Sequence, residues 1–208
     1  MIGHYLRAIA ATTMVVAGGS SAAIAQSGLP FGPHAPAVPA KLEPPDGFTV
    51  FFRAHAIGTQ NYMCLPSAAG AAWKQYAPQA TLYQTFRDEM GQQLATHFLS
   101  ANPDEPGLAR PTWQHSFDSS RVWARQWDYS VDSNYVAPGA IPWLVLVVVG
   151  KEDGPEGGSF LTRARWIQRV NTSGGVAPST GCSQASEIGT IALVPYEADY
   201  FFYKAPRQ

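Results

Sequence analysis

Charged residues are scarce in this sequence. Asp, Glu, Lys and Arg together make up 14% of the 208 residues, and the formal net charge at pH 7 is −1. No block of like charges occurs, so the chain lacks the basic surface by which proteins bind nucleic acids or anionic membranes. Hydrophobic residues make up 46%, which is enough for a sizeable core. We therefore expect a folded protein with no nucleic-acid partner.

Motifs for metal or cofactor chemistry are also missing. The histidines form no H-x-H or H-x-x-x-H pair and no cluster with cysteine, which are the spacings typical of metal sites. There is no G-x-S-x-G nucleophile turn, and no G-x-G-x-x-G follows a predicted strand. We predict neither a metal nor a cofactor, and no motif identifies a catalytic residue.

The N-terminal segment, Met1–Ala25, has the plan of a secretory signal peptide. Arg7 provides a positive start, Ala8–Ala17 is a mostly apolar run, and Ala23–Ala25 is a small-x-small cleavage site. The alternative is a membrane anchor, but the run is too short to span a bilayer and Gly18–Gly19 interrupts it. We predict cleavage before Gln26, a periplasmic or secreted location, and no integral membrane segment in the mature chain.

Cysteine occurs only twice, at Cys64 and Cys182. An oxidising compartment favours their pairing, and the alternative is two buried free thiols. We predict a disulfide between them. In the chain-entropy model a loop of this length stabilises the fold by roughly 4–5 kcal/mol.

The remaining sequence divides into a leader and one domain. Residues 26–46 are rich in proline and predict an extended leader that either lies on the surface or forms a flexible arm. From residue 47 onward, short alternating apolar segments follow one another with turn signals between them, and no long stretch has a helical period. We predict that residues 47–208 form a single all-β domain. Its fold should be an antiparallel sandwich or barrel of about eight to eleven short strands.

Individual segments refine this prediction. Phe48–His55 and Ile57–Cys64 predict two successive strands, and Pro78 is expected to break the next segment in two. Ile141–Gly150 is apolar up to its glycine, which predicts a strand buried on both faces. Gly174–Gly175 predicts a turn with positive φ rather than an anion-binding loop, because no lysine follows in phosphate-loop spacing.

Several segments carry a resemblance to a known family through their order and spacing. They are GTQNYMC (Gly58–Cys64), THF with PTW (Thr96–Phe98, Pro111–Trp113), AIPWLVL (Ala140–Leu146), and IQRVNTSGGVAPSTGC with VPYEADYFFY (Ile167–Cys182, Val194–Tyr203). Over roughly Pro39 to Tyr203 the sequence resembles domain-of-unknown-function family 3455. That family consists of secreted or periplasmic bacterial proteins with fungal relatives. The resemblance implies an exported protein and implies no particular activity.

Two polar residues are the candidates for acid–base chemistry, His97 and Asp199. Asp199 is also expected to pair across strands with Arg165 or Arg169, which would make it part of a structural network. Gln168 shares a strand face with Trp166; if that face is inside, Gln168 is a buried amide that needs loop backbone partners.

Aromatic residues supply the candidates for ligand binding. On one predicted strand Trp123, Trp127 and Tyr129 share a face with Arg121 and Arg125, which suits a sugar or a peptide if it is exposed and a core if it is buried. The candidate ligand-binding residues are Trp113, Trp123, Trp127 and Gln168.

These observations favour an exported binding or envelope-associated module without catalysis, whose partner is a carbohydrate or another small ligand. The first alternative is an exported hydrolase of a carbohydrate or small ester that uses His97 and Asp199. The second is a purely structural or stress-related secreted protein. The oligomeric state is left open.

Overall fold

The computed structural model describes residues 34–68, 70–86 and 89–206, and these form a closed antiparallel barrel. Its eight strands are β1 (Thr49–Ser67), β2 (Gly70–Phe86), β3 (Glu89–Ala101), β4 (Ala109–His115), β5 (Arg121–Ser130), β6 (Trp143–Glu152), β7 (Ala164–Gly174) and β8 (Ile191–Lys204). Each strand pairs with its neighbour in sequence, and β8 pairs with β1 to close the sheet. Short 3-10 turns lie at Ala40–Leu42, Leu161–Arg163 and Ala185–Glu187. The predicted all-β class is confirmed, and of the two architectures it is the barrel. The predicted signal peptide and the first residues of the leader lie outside the described residues.

The first two strands are longer than expected. The strand β1 has 19 residues and includes both segments that were predicted as separate strands. The strand β2 has 17 residues and continues through Pro78, so the predicted break is wrong. Pro78 lies opposite Gln60, next to a register shift between Asn61 and Tyr62 on β1. Such a bulge accommodates a residue that has no N–H to donate, and it bends a long strand around the barrel.

Inward-facing side chains fill one half of the barrel. Phe52 of β1 packs on Phe202 of β8 with ring centroids 5.0 Å apart, and Phe160 meets Phe52 edge-on at 5.4 Å. Small residues such as Ala54 and Ala56 occupy the next inward positions and leave room for these rings. This half, where β1 begins, is a packed hydrophobic core.

A second apolar layer covers the outside of β6, β7 and β8. The segment before β1 lies across this face, and its Leu42 is fully buried there. Gln168 Nε2–H donates to the carbonyl of Leu42 at 2.7 Å, and Gln168 Oε1 accepts from the Tyr203 hydroxyl. The part of the leader next to β1 therefore lies on the surface. It also explains the apolar strand β6, whose Val145 faces this layer while Leu146 faces the interior.

The disulfide ties the loop between β7 and β8 to β1. Cys64 and Cys182 are bonded, with Cα atoms 5.4 Å apart, which confirms the predicted pairing. Backbone hydrogen bonds support the same junction: Cys64 N–H donates to the carbonyl of Thr190, and Gly189 N–H donates to the carbonyl of Cys64, both at 2.9 Å. Of the helices in the described part of the chain, none is long and apolar enough to cross a membrane.

Candidate functional site

The other half of the barrel, toward the end where β1, β3, β5 and β7 finish, contains a cavity of about 360 Å³. We call it the barrel cavity. Gln75, Gln126 and Tyr129 line it and are exposed, so they mark its mouth. Its deeper lining is buried or half-buried and consists of Gln60, Pro78, His97, Pro111, Trp113, Pro142, Leu144, Leu146, Arg169 and Tyr200. None of these described lining residues carries a carboxylate, so the cavity has mixed apolar and basic walls.

Three rings form one wall of the cavity. His97 and Trp113 are cross-strand neighbours on β3 and β4, and their rings stack with centroids 4.1 Å apart and planes 9° apart. Tyr200 from β8 meets both rings edge-on, at 5.4 and 5.6 Å. Stacking on neighbours that belong to three strands locks these side chains in place, which gives the cavity a rigid aromatic side.

His97 is held as the neutral imidazole. Its Nδ1 lies 2.9 Å from the carbonyl of Thr112, which only accepts hydrogen bonds, so Nδ1 carries the proton. Burial lowers the pKa of His97 to about 3, and the nearby Arg169 acts in the same direction against the hydrogen bond to Thr112. The remaining nitrogen, Nε2, is therefore a hydrogen-bond acceptor at neutral pH.

Arg169 on β7 is a buried cation. It is 8% exposed, and its Nη2–H donates to the carbonyl of Pro142 at 2.8 Å. No carboxylate among the described residues forms an ion pair with it. Burial raises the pKa of the neighbouring Tyr200 hydroxyl, and Arg169 opposes that rise. The guanidinium charge is thus compensated only by neutral dipoles of the protein.

In the described part of the chain, the fully buried side-chain polar atoms of the cavity-lining residues that lack a hydrogen-bond partner are all donors. Arg169 Nε, Gln60 Nε2 and Trp113 Nε1 are buried and have no acceptor among the described residues. Gln60 Oε1 is occupied, because it accepts from Gln75 Nε2. A buried donor without a partner typically costs about 1–3 kcal/mol. The three lie on β7, β1 and β4, so the barrel closure brings them to one cavity.

The family comparison agrees with the resemblance noted in the sequence. A family model described as "Protein of unknown function (DUF3455)" matches residues 44–204. The chain belongs to this family. The matched span covers all eight strands of the DUF3455 barrel and therefore every residue of the barrel cavity. No curated protein and no solved structure matches the chain.

Of the candidate catalytic and ligand-binding residues named from the sequence, the barrel cavity brings together His97 and Trp113. Gln168 is buried on the outer face, where it holds the leader; its partners are a backbone carbonyl, as expected, and Tyr203. Asp199 is also on the outer face, since Tyr200 on the same strand points inward. The DUF3455 barrel wall therefore separates His97 from Asp199, the two acid–base candidates.

Asp199 has partners other than those expected. Its carboxylate contacts His55 Nδ1 at 3.0 Å, Arg53 at 3.6 Å and Asn171 Nδ2 at 2.8 Å. The predicted pairing with Arg165 or Arg169 is wrong, because Arg169 points into the barrel while Asp199 points out of it. Arg165 instead donates to the backbone carbonyls of Thr162 and Ala164.

The aromatic face expected on β5 is divided by bulges. Its register against β6 shifts after Trp123 and again between Gln126 and Asp128. As a result Gln126 and Tyr129 both line the mouth of the cavity, and the predicted single face is wrong.

The two tryptophans of this strand lie away from the cavity. Trp123 is 2% exposed and donates from Nε1 to Ser100 Oγ at 2.9 Å, so its polar atom is already satisfied. Trp127 is 59% exposed and packs edge-on against Trp166 at 5.6 Å. Neither lines the barrel cavity.

Sequence reasoning missed Gln60, Arg169 and Tyr200 as cavity residues. A signal for Arg169 was present, because it alternates with Ile167 on β7 and Ile167 is fully buried inside the barrel. A charge on an inward strand face is unusual and marks a functional candidate. No group of three or more His, Cys, Asp or Glu side chains in the described part of the chain could hold a metal ion.

Proposed function

We propose that this DUF3455 protein is an exported, non-catalytic binding protein that holds a small molecule in the barrel cavity. The observation that carries the proposal is the cavity itself, of about 360 Å³, in a barrel whose other half is filled with side chains. Small-molecule sites typically measure roughly 300–1,000 Å³, with apolar walls and a few placed polar groups. Up-and-down barrels of eight strands are wide enough to hold one small ligand.

The composition of the cavity favours binding over hydrolysis. Its described lining has no carboxylate to act as an acid, a base or a nucleophile, and His97 lies across the barrel wall from Asp199. Glycoside hydrolysis usually requires a pair of carboxyl groups flanking the bond. The remaining groups position and recognise a ligand through ring faces and N–H donors.

The exported location rests on two features. The segment Met1–Ala25 has the signal-peptide plan, and a disulfide joins Cys64 to Cys182. Structural disulfides persist mainly in oxidising compartments such as the periplasm and the extracellular space.

A cavity-filling variant tests the binding proposal. The chain is expressed with its own signal-peptide segment, and the product is recovered from the exported fraction, where mass spectrometry should give Gln26 as the first residue. A panel of glycans and small metabolites is then screened by thermal shift and isothermal titration calorimetry. We expect Leu144→Trp, which fills the cavity, to abolish the binding of every true ligand. Val131→Trp, at a position that is 67% exposed, should leave it unchanged.

The proposal is wrong if no compound of the panel raises the melting temperature. It is equally wrong if the compounds that bind do so with the same affinity to Leu144→Trp. A product found only in the cytoplasm with Met1–Ala25 still attached would refute the exported location and leave the binding proposal standing.

A further inference from the structure

We infer that the ligand of the barrel cavity is a small monocarboxylic acid with an apolar body, whose carboxylate is bound by Arg169 together with the N–H groups of Trp113 and Gln60. This inference rests on the proposed binding function. It names the chemical class of the ligand and the residues that select it.

Arg169 carries a buried charge that no carboxylate among the described residues compensates. Moving an ionised group out of water is costly unless it is paired with an opposite charge, and the partners of Arg169 among the described residues are neutral, namely the carbonyl of Pro142 and the Tyr200 hydroxyl. The titratable groups around it are Tyr62, His97, Tyr196 and Tyr200. Burial raises the pKa of the three tyrosines and lowers the pKa of His97, so all four are neutral at pH 7. The cavity thus holds one net positive charge, and a monoanion neutralises it.

Unpaired donors on the residues that line the cavity also favour a carboxylate. Arg169 Nε, Trp113 Nε1 and Gln60 Nε2 are three buried N–H groups without acceptors among the described residues. The backbone carbonyls of Pro142 and Thr112 already accept from Arg169 and His97. A carboxylate accepts about four hydrogen bonds and donates none, so it satisfies such a set. A sugar hydroxyl carries no charge and would leave the guanidinium of Arg169 without a counter-ion.

The rest of the cavity wall is largely apolar and aromatic. Leu144, Leu146 and Pro78 line the cavity beside the stacked rings of Trp113 and His97. These surfaces gain free energy by covering an aromatic or aliphatic body. A phosphate would bring a second negative charge that no other cation of the described lining matches. The walls and the single cation therefore favour one carboxylate on an apolar body.

Matched pairs of acids and amides test the inference. The probes are benzoate and benzamide, 1-naphthoate and 1-naphthamide, and octanoate and octanamide, measured by calorimetry at pH 7.5, where the acids are ionised. In at least one pair we expect the acid to bind at least about tenfold more tightly than its amide, since hydrogen bonds to a charged group are the stronger ones. Arg169→Gln should remove this preference. The matched control is Arg125→Gln, because Arg125 is exposed and contacts the ring of Trp127 outside the cavity.

Nuclear magnetic resonance of the wild-type protein provides a second readout that needs no variant. A bound carboxylate should shift the indole N–H of Trp113 to lower field. The indole N–H of Trp143 is an internal control, since it is also buried without an acceptor among the described residues but lies in the outer layer under the leader.

Two outcomes would overturn the inference. Amides that bind as tightly as their acids, or an acid preference that survives Arg169→Gln, would show that the cavity does not select carboxylates and would leave the binding function intact. If no acid binds and the Trp113 signal does not move at millimolar probe, the inference is also wrong. The broader panel and Leu144→Trp then decide the binding function independently.

Discussion

Loss of the disulfide should destabilise the barrel by several kcal/mol through the unfolded chain. The bridge joins residues 118 positions apart, so it closes a loop that contains β2 to β7. With that length the chain-entropy model gives about 16 cal/mol/K, or roughly 5 kcal/mol at 25 °C. Cys182→Ala is the suitable change, because Cys182 is half-buried while Cys64, which is fully buried, remains as a small apolar side chain. We expect a loss of roughly 4–5 kcal/mol in the free energy of unfolding, which is a large part of the total stability of a typical domain.

Urea unfolding followed by tryptophan fluorescence measures this loss. Wild type and Cys182→Ala are compared with and without a phosphine reductant. Without it the variant should unfold at a much lower urea concentration, and with it the two proteins should unfold together, since both then lack the bridge. A difference below about 1 kcal/mol between the oxidised wild type and the variant would contradict the argument from loop entropy. A difference that persists in the reductant would instead assign the effect to packing at Cys182.

Two further changes test the conformation of the β7–β8 turn and the charge state of His97. Gly175→Ala should lower the free energy of unfolding by about 1–3 kcal/mol, and by more than Gly139→Ala does. Both glycines have positive φ, but a Cβ at Gly175 would lie 2.9 Å from Ile141 and Tyr196, whereas a Cβ at Gly139 would meet nothing within 4 Å. Equal urea midpoints for the two variants would contradict this prediction. The pKa of His97 is about 3 in the fold against 6.5 for an ordinary histidine, so on acidification the unfolded chain takes up this proton first. The contribution of His97 to stability is therefore complete above about pH 6.5 and is lost as pH falls toward about 3, by about 1.4 kcal/mol per pH unit. His97→Gln should lack this contribution to the dependence of the free energy of unfolding on pH, measured by urea unfolding at pH 7, 5 and 4. The same pH dependence in wild type and variant would show that His97 is not the group involved.

The overall class of the fold follows from local patterns. Alternating apolar residues, turn signals and the absence of a helical period predicted an all-β chain, and two cysteines predicted one disulfide. Both predictions are properties of composition and short-range order, and the structure confirms them. The strand lengths were less accessible, because Pro78 is a strand breaker unless a bulge near it in the same strand accommodates it, and the pattern of residues does not show the bulge at Tyr76.

The site depended on information that short-range patterns do not contain. His97 and Trp113 were candidates from separate segments, and their stacking arises because β3 pairs with β4 in one register. Asp199 was a candidate for the same chemistry as His97. Successive residues of a strand face opposite sides of the sheet, so Asp199 faces outward because its neighbour Tyr200 faces inward. A bulge in β5 leaves Trp127 unpaired and outside the cavity and brings Tyr129 to its mouth. A shift of one residue reverses the face of every following side chain, so the contents of the cavity could not be listed in advance.

Composition and periodicity are local, and they were sufficient to predict the strand class and the disulfide, while the resemblance of particular segments indicated the family. Closure of the sheet is a long-range event that sets which inward side chains meet. Arg169, Gln60 and Trp113 lie on β7, β1 and β4, far apart along the chain, and only the closed barrel places these three residues around one cavity. The recognition chemistry of this DUF3455 protein is therefore a product of strand register and barrel closure.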